Sequence, residues 1–314
     1  MEEKKFEKVY EVLNELGQII SEDLYLNEID SLIEAANFWF SNDAVDSMLS
    51  ESAVFKMEKI IEDTPFRQFD ADAKYEGLKF SLLKVMKNHV SANHQMTPDV
   101  VALLINYLAE KLLKGKKDLN VLDPTVGTGH LLIGFLRKFA DKTAHAMGTD
   151  IDEMMLDIAE INAIYSNIQI EFDNVDAAKE AGLQKFDVVL ADLPDVIKRS
   201  EGKPIHVAIM ENVVSQTTDG GYLFLVTPES MISGAYAGEL VRIIKENAHL
   251  ISLIKLPKNM FATEELSKSI VVLQKKGTGV TLPKEVLLAQ LPSVSNKEAI
   301  AEMMGNIDSF FEGK

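Results

Sequence analysis

Apolar residues recur at helical spacing along the first part of the chain. Phe6, Val9, Tyr10, Leu13, Leu16 and Ile20 fall on one helical face, because 3.6 residues make a turn. Leu32, Ile33, Ala36, Trp39 and Phe40 make a second such face, and Val54, Phe55, Met57, Ile60 and Ile61 a third that Pro65 ends. Leu78, Leu82, Leu83, Val85 and Met86 continue the pattern. These faces predict a helical bundle core over residues 1–90, since an apolar stripe on a helix must be buried against a neighbour. Nothing in this region points to chemistry.

The pattern changes at Thr97. Thr97-Pro98-Asp99 reads as a helix start, with Thr97 as N-cap and proline in the first turn. Apolar runs near 119–125, 145–150, 168–173, 187–193, 222–227, 251–257 and 269–275 predict strands. Helices are expected between the early strands, around 129–140, 152–166, 205–217 and 235–247. Such alternation predicts an α/β fold with a parallel sheet covered on both faces. The last two strands have no full helix between them, so they are expected to pair as a hairpin or meander at one edge. One more strand (Glu285–Gln290) and an amphipathic helix (Lys297–Phe311) follow. The expected domains are residues 1–90, 91–278 and 279–314.

Composition narrows the setting. The chain has 314 residues, 46% of them apolar, and no cysteine. It therefore has no disulfide, thiolate metal site or thiol nucleophile, which fits a reducing, cytoplasmic setting. The first residues lack the apolar run of a signal peptide, and no stretch approaches the ~20 apolar residues that span a bilayer. The formal net charge is −17, which repels a phosphate backbone. A nucleic-acid partner would need a local basic patch, for which Lys198, Arg199 and Lys203 are the nearby candidates. The helical N-terminal region is a candidate surface for a protein partner or a second copy.

Candidate chemistry gathers at strand ends, where a doubly wound sheet holds its ligands. Asp123-Pro-Thr125-Val-Gly127-Thr-Gly129 is a strand end, a glycine turn and a helix start. Gly127 and Gly129 let backbone approach a ligand that a Cβ would push away. Asp150 ends the next strand, with Ile151 beside it. A carboxylate about twenty residues past the glycines can accept both hydroxyls of a ribose. It could equally cap the helix that follows. Asp173 and Asn174 end the third strand, and Asp192-Leu-Pro194-Asp195 the fourth. One carboxylate and free N–H groups suit an adenosine-type cofactor with an amino group better than a pyrophosphate.

The turn Asp123–Gly129 resembles the Asp-Pro-x-x-Gly-Thr-Gly segment of S-adenosylmethionine-dependent DNA amino-methyltransferases, above all the modification subunit of type I restriction systems. Asn93–Pro98, Gly220–Glu229, Leu253–Phe261 and Ser269–Lys275 are similar to segments of the same family. The resemblance implies a seven-stranded Rossmann-like sheet with its last strand antiparallel, and S-adenosylmethionine as cofactor. It implies cofactor contacts at Thr97, Asp123, Thr125, Gly127, Gly129, Asp150, Ile151, Asp192 and either Asp173 or Asn174. It also implies a catalytic segment at Asp192–Asp195. In the family an acidic or amide side chain and the next carbonyl accept hydrogen bonds from the target amine. An aromatic ring then stacks on a flipped base.

Here the segment keeps Asp192 and Pro194, but Asp195 stands where the aromatic belongs. Base stacking contributes on the order of 1–3 kcal/mol, and a carboxylate cannot supply it. No aromatic follows before Tyr222. Two readings stay open: a methyltransferase with altered acceptor, or an impaired cofactor- or partner-binding module. A nicotinamide-dependent oxidoreductase is disfavoured by Asp123 and by Leu132, which stands where a third glycine would be.

Overall fold

The computed structural model describes residues 5–41, 48–89, 96–179, 182–195, 204–261 and 266–312. Its helices are α1 (Lys5–Leu24), α2 (Glu28–Ser41), α3 (Glu51–Asp63), α4 (Ala71–His89), α5 (Asp99–Leu112), α6 (His130–Phe139), α7 (Glu153–Tyr165), α8 (Ile205–Gln216), α9 (Glu229–Ile232), α10 (Ala237–Asn247) and α11 (Lys297–Glu312). Its strands are β1 (Leu119–Asp123), β2 (Thr143–Asp150), β3 (Glu171–Asn174), β4 (Phe186–Asp192), β5 (Thr217–Pro228), β6 (Ala248–Lys255), β7 (Lys268–Lys275) and β8 (Leu287–Gln290). The chain divides into two compact units.

The first unit holds residues 1–96 together with 127–129 and 154–169. Leu13, Leu16 and Ile20 of α1, Leu32 and Trp39 of α2, Met57 of α3 and Leu78 of α4 are buried in one core. Met155, Ile158, Ile161 and Tyr165 of α7 belong to that same core. Two of its aromatic polar groups are satisfied from within. Trp39 Nε1 donates to the Thr64 carbonyl at 2.8 Å, and Tyr165 Oη to the Ala36 carbonyl at 3.0 Å.

Three residues expected in this core lie at the surface: Phe40, Phe55 and Leu83 are 48%, 69% and 46% exposed. Helical rotation explains the difference. In α3 the inward positions are Ala53, Met57 and Ile61, four apart, so Phe55 points to another side. Phe40 instead meets the ring of Phe66 edge-on at 5.6 Å.

The second unit is built on an eight-stranded sheet of order β3-β2-β1-β4-β5-β7-β6-β8. The pairs β2–β3, β1–β2, β1–β4, β4–β5 and β6–β8 are parallel, while β7 runs antiparallel between β5 and β6. The central strands explain their own position. β4 reads Phe-Asp-Val-Val-Leu-Ala-Asp, and Val188, Val189, Leu190 and Ala191 are all fully buried, as in a sheet covered on both faces. The antiparallel pairing of β6 with β7 follows the expectation. Its place does not, because β8 continues the sheet beyond β6 and takes the edge. α11 is fastened by Asp308, which accepts from Tyr107 Oη and pairs with Lys111, both on α5. No helix among the described residues is long and apolar enough to cross a membrane.

Candidate functional site at the carboxyl ends of the strands

In β2-β1-β4, three neighbouring strands end on Asp150, Asp123 and Asp192. Parallel strands bring their carboxyl ends to one edge of the sheet. Residues far apart in sequence thus become neighbours in the second unit.

Asp123 is the most deeply placed of the three, 1% exposed. Its Oδ1 accepts the Thr125 N–H at 3.1 Å, and its Oδ2 is buried with no hydrogen-bond partner. Burial pushes the carboxyl well above the ordinary carboxylate range, against the Thr125 hydrogen bond, and the charges of Asp192 and Asp150 push it further. A buried oxygen of this kind is costly unless a donor or cation comes to it.

Thr125 ties β1 to the Asp192–Asp195 segment, its hydroxyl donating to the Asp192 carbonyl at 3.3 Å. Next in the turn, the Val126 N–H donates to the Thr149 carbonyl at 2.9 Å. Gly148 lies underneath. A Cβ there would meet Val126 Cγ2 at 2.9 Å and the Phe172 ring at 3.0 Å. That requirement has no motif to announce it in the sequence. Gly127 and Gly129 have φ of +50° and +80°, which L side chains adopt at a cost. They belong to the first unit with Thr128, whose carbonyl accepts from Asn162 Nδ2 of α7 at 2.8 Å.

Asp150 Oδ1 accepts the Asp152 N–H at 3.0 Å, a local turn bond just before α7, which begins at Glu153. Asn174 pairs in register with Asp150, and its Nδ2 donates to the carbonyls of Asp150 and Ile151 at 3.2 and 3.1 Å. The amide thereby holds the exit of β2 in place. Asp173 is exposed beside it, and Ile151 is 60% exposed. An apolar side chain thus stands open next to the Asp150 carboxylate.

Thr97 does not cap α5; Pro98 stands at the N-cap with no side-chain bond. The Thr97 hydroxyl is buried and donates to Asp192 Oδ2 at 2.9 Å. The other Asp192 oxygen is taken by a residue that the motif does not include. Lys268, the first residue of β7, donates from Nζ to Asp192 Oδ1 at 2.7 Å and to the Leu193 carbonyl at 2.9 Å. Burial pulls the Lys268 ammonium down, but the charge and hydrogen bond of Asp192 and the charge of Asp195 outweigh it and raise it. Asp195 is pushed up by burial, with Lys268 opposing and Asp192 adding to the shift. Because β7 is antiparallel, its first residue falls at the edge where the parallel strands end, with Lys268 paired to Pro228. Topology alone places it there.

The expected basic cluster Lys198, Arg199 and Lys203 lies outside the described residues, as do positions 93–95 of the segment before α5.

Residues 115–283 match the family model described as a methyltransferase domain. YtxK of Bacillus subtilis, an uncharacterized protein, is 32% identical over 318 residues, 97% of either chain. A crystal structure from Listeria monocytogenes, described as a class I S-adenosylmethionine-dependent methyltransferase, superposes with a TM-score of 0.88 at 28% identity, over 98% of this chain and 99% of that one. A modification subunit of a type I restriction enzyme from Vibrio vulnificus shares the fold at a TM-score of 0.66 and 12% identity, over 90% of this chain and 66% of its own. The strand-end carboxylates therefore sit on a methyltransferase scaffold, and the chain belongs to the methyltransferase domain family.

Proposed function

We propose that the protein is an S-adenosylmethionine-dependent methyltransferase of the DNA-methylase-like type, with its acceptor placed against Asp192–Asp195 and its chemistry on nucleobases impaired. The observation that carries this reading is the buried Asp123 Oδ2, unpaired and facing further negative charge from Asp150 and Asp192. Such a place calls for a cation with N–H donors. S-adenosylmethionine carries an ammonium and a sulfonium, whereas a dinucleotide would bring a pyrophosphate against three carboxylates. The residues present therefore fit the cofactor.

When bound, S-adenosylmethionine supplies an activated methyl group, and the protein's part is placement. Asp123 would receive the ammonium, Asp150 the ribose hydroxyls, and exposed Ile151 offers apolar surface to the adenine. Gly127 and Gly129 leave the turn after β1 without side chains. Asp173 and Asn174 both stand as candidates for the adenine amine: Asp173 offers an exposed carboxylate, and Asn174 its Oδ1 while Nδ2 is engaged on backbone carbonyls. Thr97, Thr125 and Lys268 hold Asp192 and its carbonyl in one orientation.

A second reading is favoured by Asp195 and by the occupation of both Asp192 oxygens: the protein binds cofactor without methylating a base. Calorimetry with S-adenosylmethionine and NAD tests the cofactor. Binding of NAD alone would overturn the proposal. Transfer of labelled methyl groups to DNA, RNA, protein and small-molecule fractions separates enzyme from binding module.

A further inference from the structure

Lys268 stands in an unusual relation to the catalytic segment. In the family that the segment resembles, the acidic or amide side chain and the next carbonyl together receive the target amine. The corresponding pair here is Asp192 Oδ1 and the Leu193 carbonyl, and one ammonium, Lys268 Nζ, already bonds both at 2.7 and 2.9 Å. A second nitrogen reaching the same two oxygens would crowd the first, donor against donor. Asp192 Oδ2 is itself engaged, accepting the Thr97 hydroxyl at 2.9 Å.

The lysine is not a loose surface residue swung inward. Its side chain is 14% exposed and that of Asp192 21%. Its backbone is anchored at both sides: the Leu256 N–H donates to its carbonyl, and the Ser267 carbonyl before it accepts the Glu229 N–H at 2.8 Å. Two hydroxyls at this end of the sheet, Thr227 Oγ1 and Ser267 Oγ, are buried without partners. Polar capacity therefore remains beside the lysine, while the amine-accepting pair itself is spent.

We propose that Lys268 is a specificity-determining residue of the site: its ammonium fills the seat that a target amine would need and keeps amine acceptors out. The inference rests on the methyltransferase reading above. It differs from loss of the stacking ring at Asp195, because it acts on the acceptor nitrogen and not on the face of a base. An amine gains the seat only by displacing the lysine, and a lysine held by two strong hydrogen bonds is displaced at a cost.

The test uses the full chain, wild type and Lys268→Met, which keeps the apolar stem and removes the donors. Calorimetry with S-adenosylhomocysteine comes first; failure of the wild type to bind it would sink the methyltransferase reading and leave the seat unjudged by that arm. Methylammonium is then the minimal amine, followed by calorimetry and by the thermal midpoint, with tetramethylammonium as a cation that lacks N–H groups. Lys268→Met should bind methylammonium roughly tenfold more tightly than wild type, the scale of one charge-assisted hydrogen bond. Adding Asp192→Ala should erase that gain, and tetramethylammonium should show none. Equal binding by wild type and Lys268→Met, or a gain that survives Asp192→Ala, would overturn the proposal. Should Lys268→Met fail to fold, refolding in methylammonium should recover it where tetramethylammonium does not, and no recovery would count equally against the seat.

Discussion

Asp123 keeps one carboxylate oxygen buried and without a hydrogen-bond partner. Its raised affinity for a proton has a definite sign in stability. The folded chain holds that proton to higher pH than the unfolded chain, so stability falls as pH rises from the ordinary carboxylate range through the folded value. Asp123→Asn should therefore raise the thermal midpoint of the ligand-free protein at neutral pH and weaken S-adenosylmethionine binding by about a hundredfold, the scale of losing a buried charged contact. Calorimetry in buffers of different ionisation enthalpy should show proton release when the wild type binds. Affinity independent of pH would contradict the role given to Asp123. The carboxylate's identity and place were legible from its motif. Its orphaned oxygen was not, because burial is a property of everything around it.

Gly129 shows the same division. The motif names it, but only the backbone shows that φ is +80°. Gly129→Ala should cost about 1–3 kcal/mol, read as a lower denaturation midpoint. Thr97 shows the reverse case. Its neighbours Pro98 and Asp99 suggest a helix cap, yet its hydroxyl bonds Asp192, 95 residues away. Local sequence statistics cannot weigh a partner that folding brings from the end of a distant strand.

The elements were read well where periodicity is strong. The seven expected strands, the helices between them and the C-terminal strand and helix all formed, most of them close to the expected bounds, though β5 begins five residues early at Thr217 and β3 three late at Glu171. Strand order was not legible from periodicity, since the spacing of apolar residues says nothing about which neighbour a strand takes. Nor was it visible that α7 packs its Met155, Ile158 and Ile161 into the core of the N-terminal helices. α8 carries a testable consequence of burial. His206, in its first turn, is fully buried with both ring nitrogens unpaired and faces Tyr236 edge-on at 5.3 Å. Burial lowers it to about 4. The unfolded chain takes up a proton near pH 6.5 and the folded chain does not, so stability is lost as pH falls from about 6.5 towards 4, by on the order of 3 kcal/mol in all. Urea denaturation at pH 7 and pH 5 should show the loss, and His206→Phe should remove most of the difference. An unchanged pH dependence in that variant would refute the assignment.

At the scale of the molecule, a net charge of −17 and an acidic site oppose a polyanion. Mobility of a DNA duplex in a gel should be unchanged by micromolar protein at about 0.15 M salt, where long-range attraction is already screened. Retention that weakens steeply with added salt would show a basic surface and reopen base methylation.

Taken alone, the sequence determined the alternation of helix and strand, the glycine turn, the run of carboxylates and the missing aromatic at Asp195. Each depends on residues close together in the chain, where local geometry and side-chain chemistry decide. Tertiary structure decided what those carboxylates meet. The reversal of β7 delivers Lys268 to Asp192 across 76 residues, and burial leaves Asp123 Oδ2 without a partner. Both outcomes depend on strand order and on exclusion of water, which exist only once the sheet has closed around them.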